Sequence, residues 1–281
     1  MTEGIHLDDL RPRGAENAPD DAGAGRPPLS RRSFLSGSAA FLAGGALLAT
    51  PGVAKAHDTA EPPTDIAMLN FALTLEHLEA TFYTQGLQIF SERRIERLNI
   101  FDGFGPKIRN RIYANLTLIS DHETEHVDTL EKVIRGLGGR PVPPADYDFG
   151  AAFEKPREFI AVAQVLENTG VTAYDGAVAH IEAGAVITGG AQIATVEARH
   201  ASYLNLLNRD NGNEPDDGVP FPDAFDQPVA PRAIFDAAAE FITTPLDARY
   251  PPYASLGAFR ALLPDFVVGL EGVVPIPPEG L

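Results

Sequence analysis

Four glutamates and two histidines fall on otherwise apolar helical stripes in this chain, and they do so in two matching halves. The first half has Leu75-Glu76, Tyr83 seven residues further on, and then Glu123-Thr124-Glu125-His126 followed by Leu130. The second has Leu166-Glu167, Tyr174 again seven on, and then Glu197-Ala198-Arg199-His200 followed by Leu204. Steps of three and four residues keep side chains on one face of a helix, which in a bundle is the buried face. The stripes read Ile66, Leu69, Leu73, Glu76, Tyr83; Ile112, Leu116, Ile119, Glu123, His126, Leu130, Val133; Ile160, Ala163, Glu167, Tyr174, Ala177, Ile181; and Ile193, Glu197, His200, Leu204, Leu207.

An isolated carboxylate in an apolar core costs several kcal/mol or takes up a proton, and four unpaired ones would not be tolerated together. Two divalent cations offset four negative charges, and neutral imidazoles complete the coordination. Residues i and i+3 are neighbours on a helix, so each Glu-x-x-His can serve one ion or straddle two. A Glu from each of two helices with a Glu-x-x-His from each of two others is the donor set of a dinuclear centre in a four-helix bundle. One Glu-x-x-His alone is an ordinary surface pair. Two, each preceded by a stripe Glu in the same order, are not.

The expected fold is all-α. Thr64-Asp65 caps a first helix running to about Phe90. A polar, basic link from Ser91 to Gly105 leads to a second helix from Pro106 to the Gly136, Gly138-Gly139 cluster. Residues Arg140 to Phe149, with Pro141, Pro143 and Pro144, read as a long crossover. The third helix is expected from Pro156 to about Gly184, and the fourth from Gly189-Gly190 to about Asn208. Residues 57–209 then form the bundle, and 210–281 an irregular, Asp-, Pro- and Gly-rich extension with one or two short helices. Helix packing, a lid or a contact in a homo-oligomer all remain open as its role.

Ser30-Arg31-Arg32-Ser33-Phe34-Leu35, the Ala- and Gly-rich apolar run to Leu48 and the small-x-small Ala54-Lys55-Ala56 look like a twin-arginine export signal, expected to occupy residues 1–56. An uncleaved signal acting as a membrane anchor is the alternative, but Gly and Ser dilute a run already short of the ~20 residues a span needs. Cleavage after Ala56 would remove as many basic as acidic residues and leave the net charge at −17. So acidic a chain repels nucleic acid and anionic membrane surfaces, and no nucleic-acid motif is present. There are no cysteines, which excludes disulfides, thiolate metal sites and Cys nucleophiles. That suits a protein that folds, and takes up metal, in the cytoplasm before export to the periplasm or the medium.

At Leu69-Asn70-Phe71-Ala72-Leu73, Leu75-Glu76 through Tyr83, and both Glu-x-x-His segments, the chain resembles the ferritin-like superfamily. More narrowly, it is similar to exported ferritin-like proteins that include desiccation-related proteins of plants and stress-induced fungal relatives. The resemblance spans about residues 65–208 and implies a ferritin-like four-helix bundle with a long crossover between helices two and three. It implies metal ligation by Glu76, Glu123, His126, Glu167, Glu197 and His200, with two Fe or two Mn ions as cofactor. Peroxide or dioxygen would be the small partner, in a catalase-like or ferroxidase-like oxidoreductase. Iron handling and a non-catalytic role in envelope stress are the alternatives it leaves. Two departures stand out. Some diiron members carry an Asp before each Glu-x-x-His to orient the histidines, where this chain has His122 and Val196. Glu79, one turn after Glu76, is either a further site group or a solvent-facing residue just off the stripe, and the solvent reading is preferred. Tyr83 and Tyr174 are either donors to ligand carboxylates or plain core aromatics. His77, His122 and His180 fall off the stripes and are expected at the surface; Asp175 is expected to point away from the centre.

Replacing Arg31 and Arg32 together by Lys is expected to hold the precursor in the cytoplasm. Cell fractionation with an antibody to the mature chain reads the outcome, and unchanged export would refute the signal.

Overall fold

A computed structural model describes residues 65–208, 219–243 and 255–268; the segment expected to be an export signal, residues 1–56, and parts of the C-terminal extension lie outside these. The helices in chain order are α1 (Asp65–Ile89), α2 (Glu92–Glu96), α3 (Pro106–Arg109), α4 (Ile112–Gly136), α5 (Pro156–Val178), α6 (Gly184–Leu207), α7 (Pro231–Ala239) and α8 (Leu256–Arg260). Single 3-10 turns occur at Asn99–Phe101 and Gly150–Phe153. No strand forms among the described residues; the one extended pairing is the bridge Tyr147–Ile242. The chain is thus all-α, with α1 packed on α4 and α5 on α6 as the two hairpins of a bundle. None of the described helices is long and apolar enough to cross a membrane.

The hairpin ends follow local chemistry. Helix α4 closes with the amide of Gly139 donating to the carbonyl of Ile134 at 2.9 Å and Gly138 at φ 79°, a backbone conformation that a side chain disfavours. A Cβ on Gly139 would lie 2.8 Å from Ile66 Cγ2, so glycine also lets the crossover pass close over α1. The crossover is fixed there by buried polar groups. Asn70 accepts from the amide of Val142 at 2.6 Å and donates to the carbonyls of Ile66 and Arg140. His77 Nε2 sits 3.2 Å from the Val142 carbonyl. At the far turn, Asp65 accepts from the amides of Glu182 and Ala183 and ties the start of α1 to the α5–α6 connection.

Several boundaries differ from those the sequence suggested. The second helix is interrupted after Arg109 and restarts at Ile112, and the polar, basic link before it is packed, with Ile95, Ile100 and Phe101 buried. Helix α5 stops at Val178 instead of Gly184, so Ile181 belongs to the following turn. Helix α6 begins at Gly184 and runs through Gly189 and Gly190; a Cβ at either would meet nothing, so both glycines lie on an open face while Val186 packs inward. Late in α4 the buried position is Ile134, and Val133 is exposed, the drift a straight 3.6-residue helix makes against a seven-residue step.

Helix α1 carries the largest correction. From Ala67 to Glu79 every residue is buried, so it has no solvent face there. It packs on α4 and α5 on its bundle sides, while the crossover and α7 cover the rest. His77, expected at the surface, is therefore buried at 7% exposure, and Glu79, for which the solvent reading was preferred, at 3%. Burial lowers the His77 pKa, which keeps the ring neutral against the crossover.

The two hairpins meet closely at Gly86, where a Cβ would fall 2.1 Å from the Phe159 ring. That ring stacks on Phe82 at 4.9 Å between centroids. Gly86→Ala is expected to lower stability by about 1–3 kcal/mol through overpacking, read as a lower urea midpoint at unchanged slope.

Candidate metal centre

The six donors reach the centre from four helices. α1 carries Glu76, α4 carries Glu123 and His126, α5 carries Glu167, and α6 carries Glu197 and His200; all six side chains are buried. The four carboxylates are fully enclosed at 0% exposure, the two histidines nearly so. Two overlapping groups result: Glu76, Glu123, His126 and Glu197, and Glu123, Glu167, Glu197 and His200. Within each, one donor atom per residue lies within 4.8 Å of all the others. Glu123 and Glu197 belong to both groups, which is the arrangement of two shared carboxylates between two positions, each completed by one further Glu and one His.

The imidazoles turn Nδ1 inward. Nδ1 of His126 is 3.2 Å from Glu76 Oε2 and 3.1 Å from oxygens of Glu123 and Glu197. Nδ1 of His200 is 3.0 Å from Glu123 Oε1 and 3.2 Å from Glu167 Oε2. Glu123 Oε1 and both oxygens of Glu197 nevertheless have no hydrogen-bond partner, since the close imidazole nitrogens lack hydrogen-bond geometry toward them. Buried carboxylate oxygens without donors, beside two histidine nitrogens and in the absence of sulfur, fit a pair of divalent first-row cations.

The tyrosines resolve as donors. Tyr83 donates to Glu167 Oε1 and Tyr174 to Glu76 Oε1, both at 2.5 Å. Each half of the repeat thus orients the Glu of the other half. Burial, with Glu167 beside Tyr83 and Glu76 beside Tyr174, pushes both phenols well above their ordinary range and keeps their protons on.

The orienting group missing from the sequence reading is His122. It is half-buried instead of exposed, and its Nδ1 lies 2.9 Å from Nε2 of His200 with the rings stacked at 5.2 Å. Were Nδ1 of His200 to ligate an ion, its Nε2–H would donate to Nδ1 of His122, a contact that would hold the tautomer and the ring orientation. Val196, at the matching place in the second half, has no polar group to do the same for His126. The signal was present: His122 directly precedes Glu123-x-x-His126, the position already singled out for an orienting group. His180 lies away from the site near the Phe266 carbonyl, and Asp175 faces Asp226, as its position off the stripe implied.

Glu79 is the fifth buried carboxylate of this region. Burial, then the charges of Glu197, Glu167, Glu123 and Glu76, hold its pKa well above the usual range. It shares with Glu197 the space left by Gly170, whose Cβ would lie 3.0 Å from Glu197 Oε2 and 3.4 Å from Glu79 Oε1.

A family profile described as a ferritin-like domain matches residues 64–209, and the chain belongs to that family. No curated protein matches the sequence significantly.

Without metal, protons carry the compensating charge. Burial and Glu197 raise Glu123 to about 7, and burial and the neighbouring glutamates raise Glu167 and Glu197. Burial alone would lower the histidines, but the surrounding carboxylates outweigh it and push His126 up to about 12 and His200 to about 10. All these shifts have one sign. The raised carboxyls stabilise the fold below their unfolded pKa and lose that contribution as pH rises through their folded values, Glu123 through about 7. The raised histidines do so below about 6.5 and lose it through about 10 and 12. Metal-free protein is therefore expected to lose thermal stability steadily from pH 5 to pH 10. Metal-loaded protein should do the reverse at the acid end, because protons displace metal from its ligands. Melting curves across pH with and without a chelator test the opposed slopes.

Proposed function

We propose that this bundle holds two iron or two manganese ions and reduces peroxide or dioxygen, protecting the cell envelope under oxidative or drying stress after twin-arginine export. The observation that carries the reading is the pair of overlapping donor groups sharing Glu123 and Glu197. In this scheme Glu76 and His126 complete one position, and Glu167 and His200 the other. The donors are oxygen and nitrogen only, which suits iron and manganese, although zinc binds such donors tightly as well.

The bound pair would supply the electrons for oxidant reduction. The chain's own groups do the rest. Four donor residues would hold each ion, Glu123 and Glu197 serving both. Tyr83 and Tyr174 keep Glu167 and Glu76 aimed, and their retained protons stop the phenols from competing as anionic ligands. With an ion bound, His122 would accept from Nε2–H of His200 and keep its Nδ1 aimed at the site. The surrounding apolar residues, Leu73, Leu116, Ile160 and Leu204 among them, exclude bulk water and strengthen every charge interaction inside.

A structural centre that only cements the bundle would use the same ligands, and iron handling the same metal. Glu123→Ala and His200→Ala test the shared premise. The wild type should contain about two metal ions per chain by elemental analysis, as the two donor groups imply. Each variant is expected to lose most of that metal and to melt at lower temperature. Wild-type protein that carries no metal from its native compartment, and melts as both variants do, would overturn the reading. Peroxide or dioxygen consumption by loaded wild type separates catalysis from cement.

A further inference from the structure

The two ion positions draw on the same kinds of donor. Glu123 and Glu197 serve both; Glu76 and His126 complete one, Glu167 and His200 the other. The unshared carboxylates are also held alike, Glu76 by the hydroxyl of Tyr174 and Glu167 by that of Tyr83, each at 2.5 Å. Glu79 adds a fifth carboxylate beside Glu197, which belongs to both positions. The carboxylates and their supports therefore match from one position to the other. The support of the imidazoles does not.

Nε2 of His200 lies 2.9 Å from Nδ1 of His122, and the two ring planes are within 18° of each other. An imidazole N–H and an imidazole lone pair both lie in their ring planes, so this alignment suits a direct hydrogen bond. Among the described residues, nothing comparable holds His126. Both of its hydrogen-bond contacts run through Nδ1, to Glu76 and Glu123, and Val196, at the place matching His122, offers only methyl groups. An imidazole that takes an ion on Nδ1 carries its proton on Nε2 and keeps its ring in one orientation. An acceptor at Nε2 enforces both before the ion arrives, so less freedom is lost on binding and the ligand nitrogen becomes more basic. Losing such a partner costs about 10–100-fold in metal affinity.

We infer that the two positions differ in affinity, that the one completed by Glu167 and His200 fills first, and that His122 is the positioning residue that sets this order. The inference rests on the metal-binding part of the reading above and not on its redox chemistry. It gives the centre a defined half-filled state, with one ion on the His200 side.

Calorimetric titration of the metal-free chain with manganese(II) should show two steps, the first tighter by about tenfold or more. In wild-type crystals grown with one equivalent of manganese(II), anomalous density should lie at Glu167 and His200, and not at Glu76 and His126. Two substitutions of nearly equal size then separate the acceptor from simple packing. His122→Asn puts a carbonyl oxygen where the ring nitrogen stood, and His122→Leu puts a methyl group there. His122→Asn should titrate as wild type does. His122→Leu should weaken the tighter step by about tenfold or more and leave the other where it is. Density first at Glu76 and His126, or equally at both positions, would overturn the inference. So would a His122→Leu titration like that of wild type, or a loss in His122→Asn as large as in His122→Leu. Each of these results leaves a protein that binds two ions, and with it the metal reading, intact. Wild type that takes up no manganese(II) or iron(II) would remove both together. Should a variant not fold, the wild-type crystal still decides by where its single ion sits.

Discussion

Uncompensated negative charge in an apolar interior is the constraint on which the rest of this structure turns. Glu76, Glu79, Glu123, Glu167 and Glu197 all lie within one core built from leucine, isoleucine and phenylalanine. Such a group of carboxylates is stable only with cations or protons among them. The histidines, the phenol donors, the space at Gly170 and the closed packing around them are all arrangements for holding that charge in place. The fold itself is of an ordinary kind: two hairpins of helices, a crossover and a short helical cover. Its unusual requirement is to assemble so much like charge at one point.

Much of this was legible in the sequence because stripe positions and chemistry coincided. Glu76, Glu123, His126, Glu167, Glu197 and His200 each interrupt an apolar face, and the structure brings all six together. Tyr83 and Tyr174 were on the same stripes, with their partners undecided until the two hairpins were seen face to face. Glu79 and His77 were misjudged for a definable reason. The reading assumed one buried face per helix, but every residue of α1 from Ala67 to Glu79 is buried, the polar line Asn70, Thr74 and His77 included, because the crossover and α7 cover what the bundle leaves. Asn70 and His77 are held inside by the crossover, a contact that no stripe within one helix displays. The early start of α6 and the break between α3 and α4 depended on packing that no local pattern encodes.

The two halves are alike in donors but not in support. His122 grips His200, whereas Val196 leaves His126 to its carboxylate neighbours. Among the described residues, helix α7 likewise lies over α1 and α5. Repetition in the sequence therefore produces a centre with two distinguishable ends, one stiffened by a second imidazole and one not.

The crossed tyrosines also bear on how such a chain comes to its final form. Tyr83 and Glu167 are 84 residues apart, and Tyr174 and Glu76 are 98 apart. The hairpins α1–α4 and α5–α6 can zip up from neighbouring contacts, but neither tyrosine can find its acceptor until the two hairpins dock. The centre is consequently a late product of folding, absent from any intermediate in which the hairpins are formed but apart. A signal that reports bound metal would register completed assembly of the whole bundle, and not the presence of helix.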